Sequence, residues 1–151
     1  MEQVLDLKYK HFSSFAELPA EDLELIHAAQ QASLKAHAPY SNFHVGVAAR
    51  LSSGRILTAA NCESEVFPSG MCAERSLLYF HQTNFSDDNI CSLAITSSPS
   101  ERECTPCGGC RQTLLDVERR QGSPIKVIMC SDTSVTMVES AEILLPFSFR
   151  L

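Results

Sequence analysis

Basic residues are in short supply: 12 lysines and arginines stand against 18 aspartates and glutamates in 151 residues, a formal net charge of −6. Such a surface repels phosphate backbones unless a local basic stripe offsets it, and none does. Lys8 with Lys10 and the Arg119-Arg120 pair are the only close basic groupings, and they read as solvated faces. Nucleic acid is therefore not an expected partner. Glycine (6) and proline (7) are too scarce for a low-complexity linker, and no repeat period marks a solenoid or propeller. No apolar run approaches membrane-spanning length, and Met1 to Phe12, carrying Glu2, Asp6, Lys8 and Lys10, lacks the apolar centre of a signal peptide. These absences lead us to expect a cytoplasmic protein with no membrane association. What remains, 44% hydrophobic and 20% charged, suits one globular domain over residues 1–151.

Periodicity divides that domain into alternating elements. Residues 19–37 place Leu23, Ile26, Ala29, Ala32 and Ala36 near helical spacing after an acidic start, and Ala38-Pro39-Tyr40-Ser41-Asn42 ends the helix. Residues 43–51 and 55–60 flank Ser52-Ser53-Gly54 as a β-hairpin. A loop over 61–71 leads to a helix over 73–81. Then come a strand over 91–97, a loop over 98–106, a helix over 107–120, strands over 124–130 and 134–138, and a short closing helix over 139–144. The order α, β, β, α, β, α, β, β, α predicts an α/β sandwich around one mixed sheet, the first hairpin antiparallel and later pairings made parallel by crossover helices.

Seven cysteines are an odd number, and in a reducing compartment they are expected to be reduced, buried or metal-bound. Two groupings stand out: Cys72-Ala73-Glu74 and Pro106-Cys107-Gly108-Gly109-Cys110, each at the start of a predicted helix. Unpaired amides and the positive dipole end there lower a thiol's pKa and favour the metal-binding thiolate. Cys107 and Cys110 share one side of a first turn, where Gly108 and Gly109 spare the metal any crowding, and Cys72 supplies a third ligand from the facing helix. Three thiolates on Zn²⁺ leave a fourth tetrahedral position for water, the arrangement that catalysis uses. Zinc lowers the pKa of that water to about 7. Glu74 can face the pocket without being a ligand and carry protons. Arg75 and Arg111 follow the two motifs, and one or both are expected to donate to the sulfurs and offset their excess negative charge.

At these residues the sequence resembles the cytidine deaminase family, whose zinc signature is His-or-Cys-x-Glu followed by Pro-Cys-x-x-Cys. The resemblance runs from Ala38-Pro39-Tyr40-Ser41-Asn42-Phe43 through Asn61-Cys62-Glu63, Pro68 to Arg75 and Pro106 to Gln112 to Leu144-Leu145-Pro146-Phe147-Ser148-Phe149. It implies a three-layer α/β sandwich with a mixed sheet of roughly five strands and helices on both faces, with residues 1–18 as an N-terminal extension. It further implies hydrolysis of cytidine and deoxycytidine to the uridine products in pyrimidine salvage, with one Zn²⁺ per subunit. The all-cysteine ligand set, Cys72, Cys107 and Cys110, is similar to that of the small homotetrameric branch, in which active sites are shared between subunits. Carried over, Glu74 is catalytic, Asn61 and Glu63 bind the ribose hydroxyls and Phe43 packs on the base. The backbone amides of Ala73 and Cys107 touch the base or its reacting centre, Phe149 closes a neighbour's site, and Arg75 hydrogen-bonds the thiolates.

Ser64-Glu65-Val66-Phe67 departs from the family, which has an asparagine, two small residues and a tyrosine there, in a stretch that approaches the ribose of an adjacent subunit, so a related aminopyrimidine nucleoside such as a blasticidin-like antibiotic is an alternative substrate. Cys104 extends the second motif to Cys-x-x-Cys-x-x-Cys, which leaves open a non-catalytic, zinc-stabilised binding module built on Cys72, Cys104, Cys107 and Cys110. Cys62, Cys91 and Cys130 lie in or beside apolar strands and are expected to fill the core.

Overall fold

A computed structural model describes residues 1–151. Three helices, α1 (Ala20–Ser33), α2 (Ala73–Asn84) and α3 (Gly108–Gln121), enclose six strands: β1 (Lys10–Phe12), β2 (His44–Leu51), β3 (Ile56–Ala60), β4 (Ile90–Ser98), β5 (Lys126–Cys130) and β6 (Val135–Val138). They form one sheet in the order β1-β6-β5-β4-β2-β3. No helix is long and apolar enough to cross a membrane.

The layers follow from the two-residue alternation of side chains along each strand. Val45, Val47, Ala49 and Leu51 of β2, with Leu93 and Ile95 of β4 and Val127 and Met129 of β5, point to α2 and α3; Leu77, Leu78, Leu114 and Val117 complete that core. Ala48, Ala94, Ile128 and Cys130 point the other way, to Leu25, Ile26 and Ala29 of α1. Burying each large aliphatic side chain stabilises the fold by about 1.5–3 kcal/mol. On the α1 face the approach is close: a Cβ on Gly46 would lie 2.0 Å from the Ala29 carbonyl oxygen and 2.4 Å from the Ser33 amide nitrogen. Glycine is required there so that helix and strand backbones can touch.

One pairing is parallel, β4 with β5, joined through α3. The expectation that crossovers make the later pairings parallel needs correction at the other two. After α2 the chain returns on the far side of β2, so β4 pairs antiparallel with β2, and β5 and β6 form an antiparallel hairpin.

The sheet has six strands where roughly five were expected. The additional one, β1, comes from the N-terminal extension and pairs antiparallel with the outer edge of β6. Three largely exposed residues carry no readable hydrophobic period; what places them is the row of unpaired backbone groups that an edge strand presents. Lys10 adds an ion pair to Glu139 (2.7 Å), and His11 Nδ1 lies 3.1 Å from Thr136 Oγ1.

Two ends also differ. Helix α1 stops at Ser33 rather than 37, because His37 is drawn into a bridge with Cys62. The closing helix is a 3₁₀ turn, Ala141–Leu144. Its start is held by the buried Glu118 carboxylate, which accepts from Ser140 Oγ (2.6 Å) and from the amides of Ala141 (2.6 Å) and Ile125 (2.8 Å). A buried charge is tolerable when its oxygens are satisfied in this way.

Candidate metal centre and active site

Helices α2 and α3 start beside each other on one face of the sheet, and each begins on a cysteine. Cys72 (φ −66°, ψ 151°) and Cys107 (φ −67°, ψ 168°) are the N-cap residues, extended in backbone while the next residue enters the helix. Cys110 is one turn into α3 and fully buried. The three Sγ atoms lie within 4.8 Å of one another, Cys107 and Cys110 at 3.5 Å. Tetrahedral Zn–S bonds of about 2.3 Å place sulfur pairs about 3.8 Å apart, close to this spacing.

The electrostatics call for a cation. Burial, Glu74 and the neighbouring sulfurs Cys107 and Cys72 all push the Cys110 thiol far up. Burial also acts to raise Cys107, but hydrogen bonds from the amides of Cys110 and Gly109 and from the Cys110 and Cys72 side chains outweigh it and hold this thiol below its ordinary value. That is the helix-start effect expected from the sequence. Arg75 Nη2 donates to Cys72 Sγ at 3.8 Å, and its buried Nε has no partner within the protein. Arg111 instead donates to the carbonyls of Pro106 (2.8 Å) and Leu144 (3.1 Å), so of the two arginines only Arg75 serves the sulfurs. The glycines are not what makes room: a Cβ at Gly108 would meet nothing within 4 Å, and one at Gly109 only Cys107 Sγ at 4.0 Å. Cys104 is outside the sulfur cluster, so the four-cysteine knot does not form.

Glu74, 5% exposed, is the second residue of α2. Burial raises its carboxyl above the ordinary range, against lowering by its own amide, Cys110 and Arg75. A cavity of about 340 Å³ opens over it, lined also by Cys72, Ala73, Cys107, Phe43, Asn61 and Glu63. Nearly every expected site residue thus meets in one pocket, with Cys110 buried behind it. Phe149 lies elsewhere, 71% exposed near Arg119 and Arg120.

Two of these residues also brace the pocket. Asn61 Oδ1 accepts from the Val45 amide (2.8 Å) and its Nδ2 donates to the Phe43 carbonyl (2.9 Å), which fixes the entry to β2. Glu63 Oε1 accepts from the amides of Tyr40 (2.9 Å) and Ser41 (3.1 Å), and hydrogen bonds from Ser41 hold its carboxyl below the usual range. A second cavity of about 320 Å³ shares Asn61, Glu63 and Cys72 and adds Ser64, Arg75 and the edge-to-face pair Tyr40 and Phe67. Glu65 lines neither cavity of its own subunit.

Cys104 and Thr105 also line the cavity over Glu74 and were not expected there. Their position directly before Pro106-Cys107 was the available signal. Burial pushes the Cys104 thiol up to about 11. Of the expected core cysteines only Cys130 is buried; Cys62 and Cys91 are exposed. Cys91 is the exposed second residue of β4, with its sulfur 3.6 Å from Ser52 Oγ, and Cys62 sits in a bridge outside the sheet.

Residues 19–121 match the family model for the cytidine and deoxycytidylate deaminase zinc-binding region. The chain is 38% identical over 93 residues to a probable cytidine deaminase of Dictyostelium discoideum, covering 61% of this chain and 63% of that one. It is 36% identical over 89 residues to the cytidine deaminase of Mycobacterium tuberculosis, 58% of this chain and 65% of that one. The matched segments thus span slightly less than two thirds of these curated relatives. The cytidine deaminase of Burkholderia pseudomallei superposes with a TM-score of 0.72 at 32% identity, over 84% of this chain and 98% of that one. The Mycobacterium tuberculosis structure gives 0.68 at 28%, over 88% and 100%. With three converging thiols, a buried glutamate between them and a zinc-binding region matched over both motifs, the chain belongs to the cytidine and deoxycytidylate deaminase family.

Proposed function

We propose that this protein hydrolyses cytidine and deoxycytidine to uridine and deoxyuridine with release of ammonia, as a zinc enzyme of pyrimidine salvage. The observation that carries the reading is the buried Glu74 carboxyl lining the same cavity as Cys72 and Cys107, with Cys110 one helical turn after Cys107. Cys72, Cys107 and Cys110 hold Zn²⁺, which when bound supplies a water acidified to a pKa of about 7.

The remaining work falls to the chain. Glu74 takes a proton from the attacking water, delivers it to ring nitrogen N3 and passes the second proton to the departing amine. Its burial suits this role, because a raised carboxyl pKa brings proton uptake and release closer to balance near neutral pH. The amides of Ala73 and Cys107, at helix starts, orient the base and its reacting centre. Phe43 packs on the base. Asn61 and Glu63 engage the ribose hydroxyls, the latter through the oxygen not used by the Tyr40 and Ser41 amides. Arg75 tempers the charge of the sulfurs.

The same reading makes 1–151 one domain, since the extension adds β1 to the shared sheet. It also makes the protein a cytoplasmic homotetramer in which Phe149, exposed in its own subunit, closes a neighbour's cavity. No nucleic-acid or membrane partner enters it.

Replacing Glu74→Gln tests the mechanism. Cytidine turnover should fall by about 100-fold or more while zinc content stays near one per subunit. Full activity in that variant would overturn the assigned role, and absence of ammonia release by the zinc-loaded wild type would overturn the reading as a whole.

A further inference from the structure

The extension carries a period that the fold leaves unused. Leu5, Leu7 and Tyr9 alternate with Asp6, Lys8 and Lys10, the two-residue repeat of a strand with one apolar and one charged face. This stretch runs straight into β1, which is held to β6. Residues 1–9 nevertheless form no element and make no backbone hydrogen bond within the chain. Leu5, Leu7 and Tyr9 are all exposed, and the outer edge of β1 is open too, because β1 ends the sheet. Unpaired backbone groups beside an apolar face are what an added strand covers. The family-model match begins at residue 19, so this surface lies outside it.

The charges identify that strand as a second copy of the same segment. Laid antiparallel about a two-fold axis at Leu7, two copies set Leu7 against Leu7, Asp6 against Lys8, Leu5 against Tyr9 and Val4 against Lys10. Opposite charges then meet on one face and apolar side chains on the other. Moving the axis by one residue sets Asp6 against Asp6 or Lys8 against Lys8, and moving it by half a residue sets leucines across from charges. The favourable register also lays residues 2–4 of the second copy along the open edge of residues 10–12. Its apolar face has a place to go. His11 pairs with Thr136, so the odd-numbered residues share the sheet face of Val138, toward α2 and α3. There Leu5 and Leu7 already line a cavity of about 410 Å³ with Ile143, Leu145, Pro146 and Phe147.

We infer that the extension is a pairing strand: residues 2–12 of two copies of this chain zip together antiparallel about Leu7 and join their sheets edge to edge. The contact is isologous, each copy giving and receiving the same residues, so it closes as a pair and does not propagate. A lone two-stranded ribbon is marginal in water. Here each strand is anchored at its end by its own β1 and β6 pairing and backed by the segment after the closing turn. The pairing uses neither the sulfurs nor Phe149, and it does not rest on the deaminase reading.

Disulfide trapping reads the register. In full-length, zinc-loaded Leu7→Cys the two introduced thiols face each other across strands about 5 Å apart, within bonding reach. In Leu5→Cys they are offset by the rise of four residues, roughly 14 Å, and out of reach. With diamide as oxidant, Leu7→Cys should give a covalent dimer, mapped by mass spectrometry to position 7, in at least about tenfold greater yield than the position 5 link. Equal yields would show loose tails colliding and would overturn the inference. Charge reversal tests the pairing itself. Within Leu7→Cys, adding Asp6→Lys should lower the yield by about tenfold, and adding Lys8→Asp to that protein should restore it to within about twofold, since both opposite-charge pairs return. A yield that the first reversal leaves intact, or that the second fails to restore, would overturn the assignment. Without any cross-link, amide exchange over residues 4–9 should be at least about tenfold slower in the wild type than in Asp6→Lys; equal exchange would show that the segment stays unpaired.

Discussion

Cys110 and Cys130 are the two buried cysteines of the chain, and they belong to opposite faces of the sheet. Cys130 packs among Leu25, Ile26 and Ile128 beneath α1, and burial pushes its thiol up to about 12. It is a small hydrophobe. Cys110 is equally buried, but two further sulfurs, the Glu74 carboxyl and the Arg75 guanidinium surround it, and burial and the neighbouring negative groups push its own thiol up as well. The same side chain at the same burial stands alone on one face and in a three-thiol cluster that could hold a metal ion on the other. Burial raises the cost of ionisation on both; only the α2 and α3 face gathers enough thiols for a cation to repay that cost.

The sharpest way to break the comparison is to remove the ligand. Cys110→Ser should reduce bound zinc from one per subunit to a small fraction and cytidine turnover by about 1000-fold or more, read by metal analysis and ammonia release. Cys130→Val should retain both, and a Cys130→Val protein that lost its zinc would end the distinction.

The opposite face should respond in stability instead. Gly46→Ala sets a methyl group against the Ala29 carbonyl at 2.0 Å, and overpacking of this kind costs about 1–3 kcal/mol or more. Urea unfolding should show that loss while the folded fraction keeps its zinc. An intermediate effect is expected at Arg75→Ala, which removes the cation beside Cys72. Competition with a chelator should show zinc affinity lowered by about 10–100-fold, whereas Arg111→Ala should leave affinity unchanged.

The smallest effect lies in pH. An unfolded thiol ionises near about 8.5, whereas that of Cys130 stays protonated until about 12. Above the unfolded value the unfolded chain binds fewer protons than the folded one, so this group's contribution is intact below it and is lost as pH rises toward the folded value. Stability should decline between pH 9 and 10.5 by up to about 1.4 kcal/mol per pH unit from this thiol alone. Cys130→Val should flatten the decline, and equal slopes for the two proteins in urea titrations would show that Cys130 ionises freely in the fold.

Much of the site was legible because its signals are local. A cysteine followed by helix-forming residues sets a thiol at a helix start, and a spacing of three sets two thiols on one turn, whatever the rest of the chain does. Glu74 was legible for the same reason. What escaped was decided by partners distant in sequence. Arg75 and Arg111 occupy equivalent places after their motifs, yet one meets Cys72 and the other meets the carbonyls of Pro106 and Leu144. Cys91 has the neighbours of a core residue but is exposed as the second residue of β4. Strand β1 exists because β6 has a free edge, a fact absent from residues 10–12. The cavity that Cys104 and Thr105 help to line is a space between elements, which no residue pattern encodes.

By itself the sequence determined the chemistry available: three thiols and a carboxylate at helix starts. Only the tertiary structure decided that Cys72 would come within 4.8 Å of sulfurs 35 and 38 positions further on, across β4. The physical reason is that capping and spacing act through neighbouring backbone atoms. Convergence of two helix starts, by contrast, depends on the order in which six strands share one sheet.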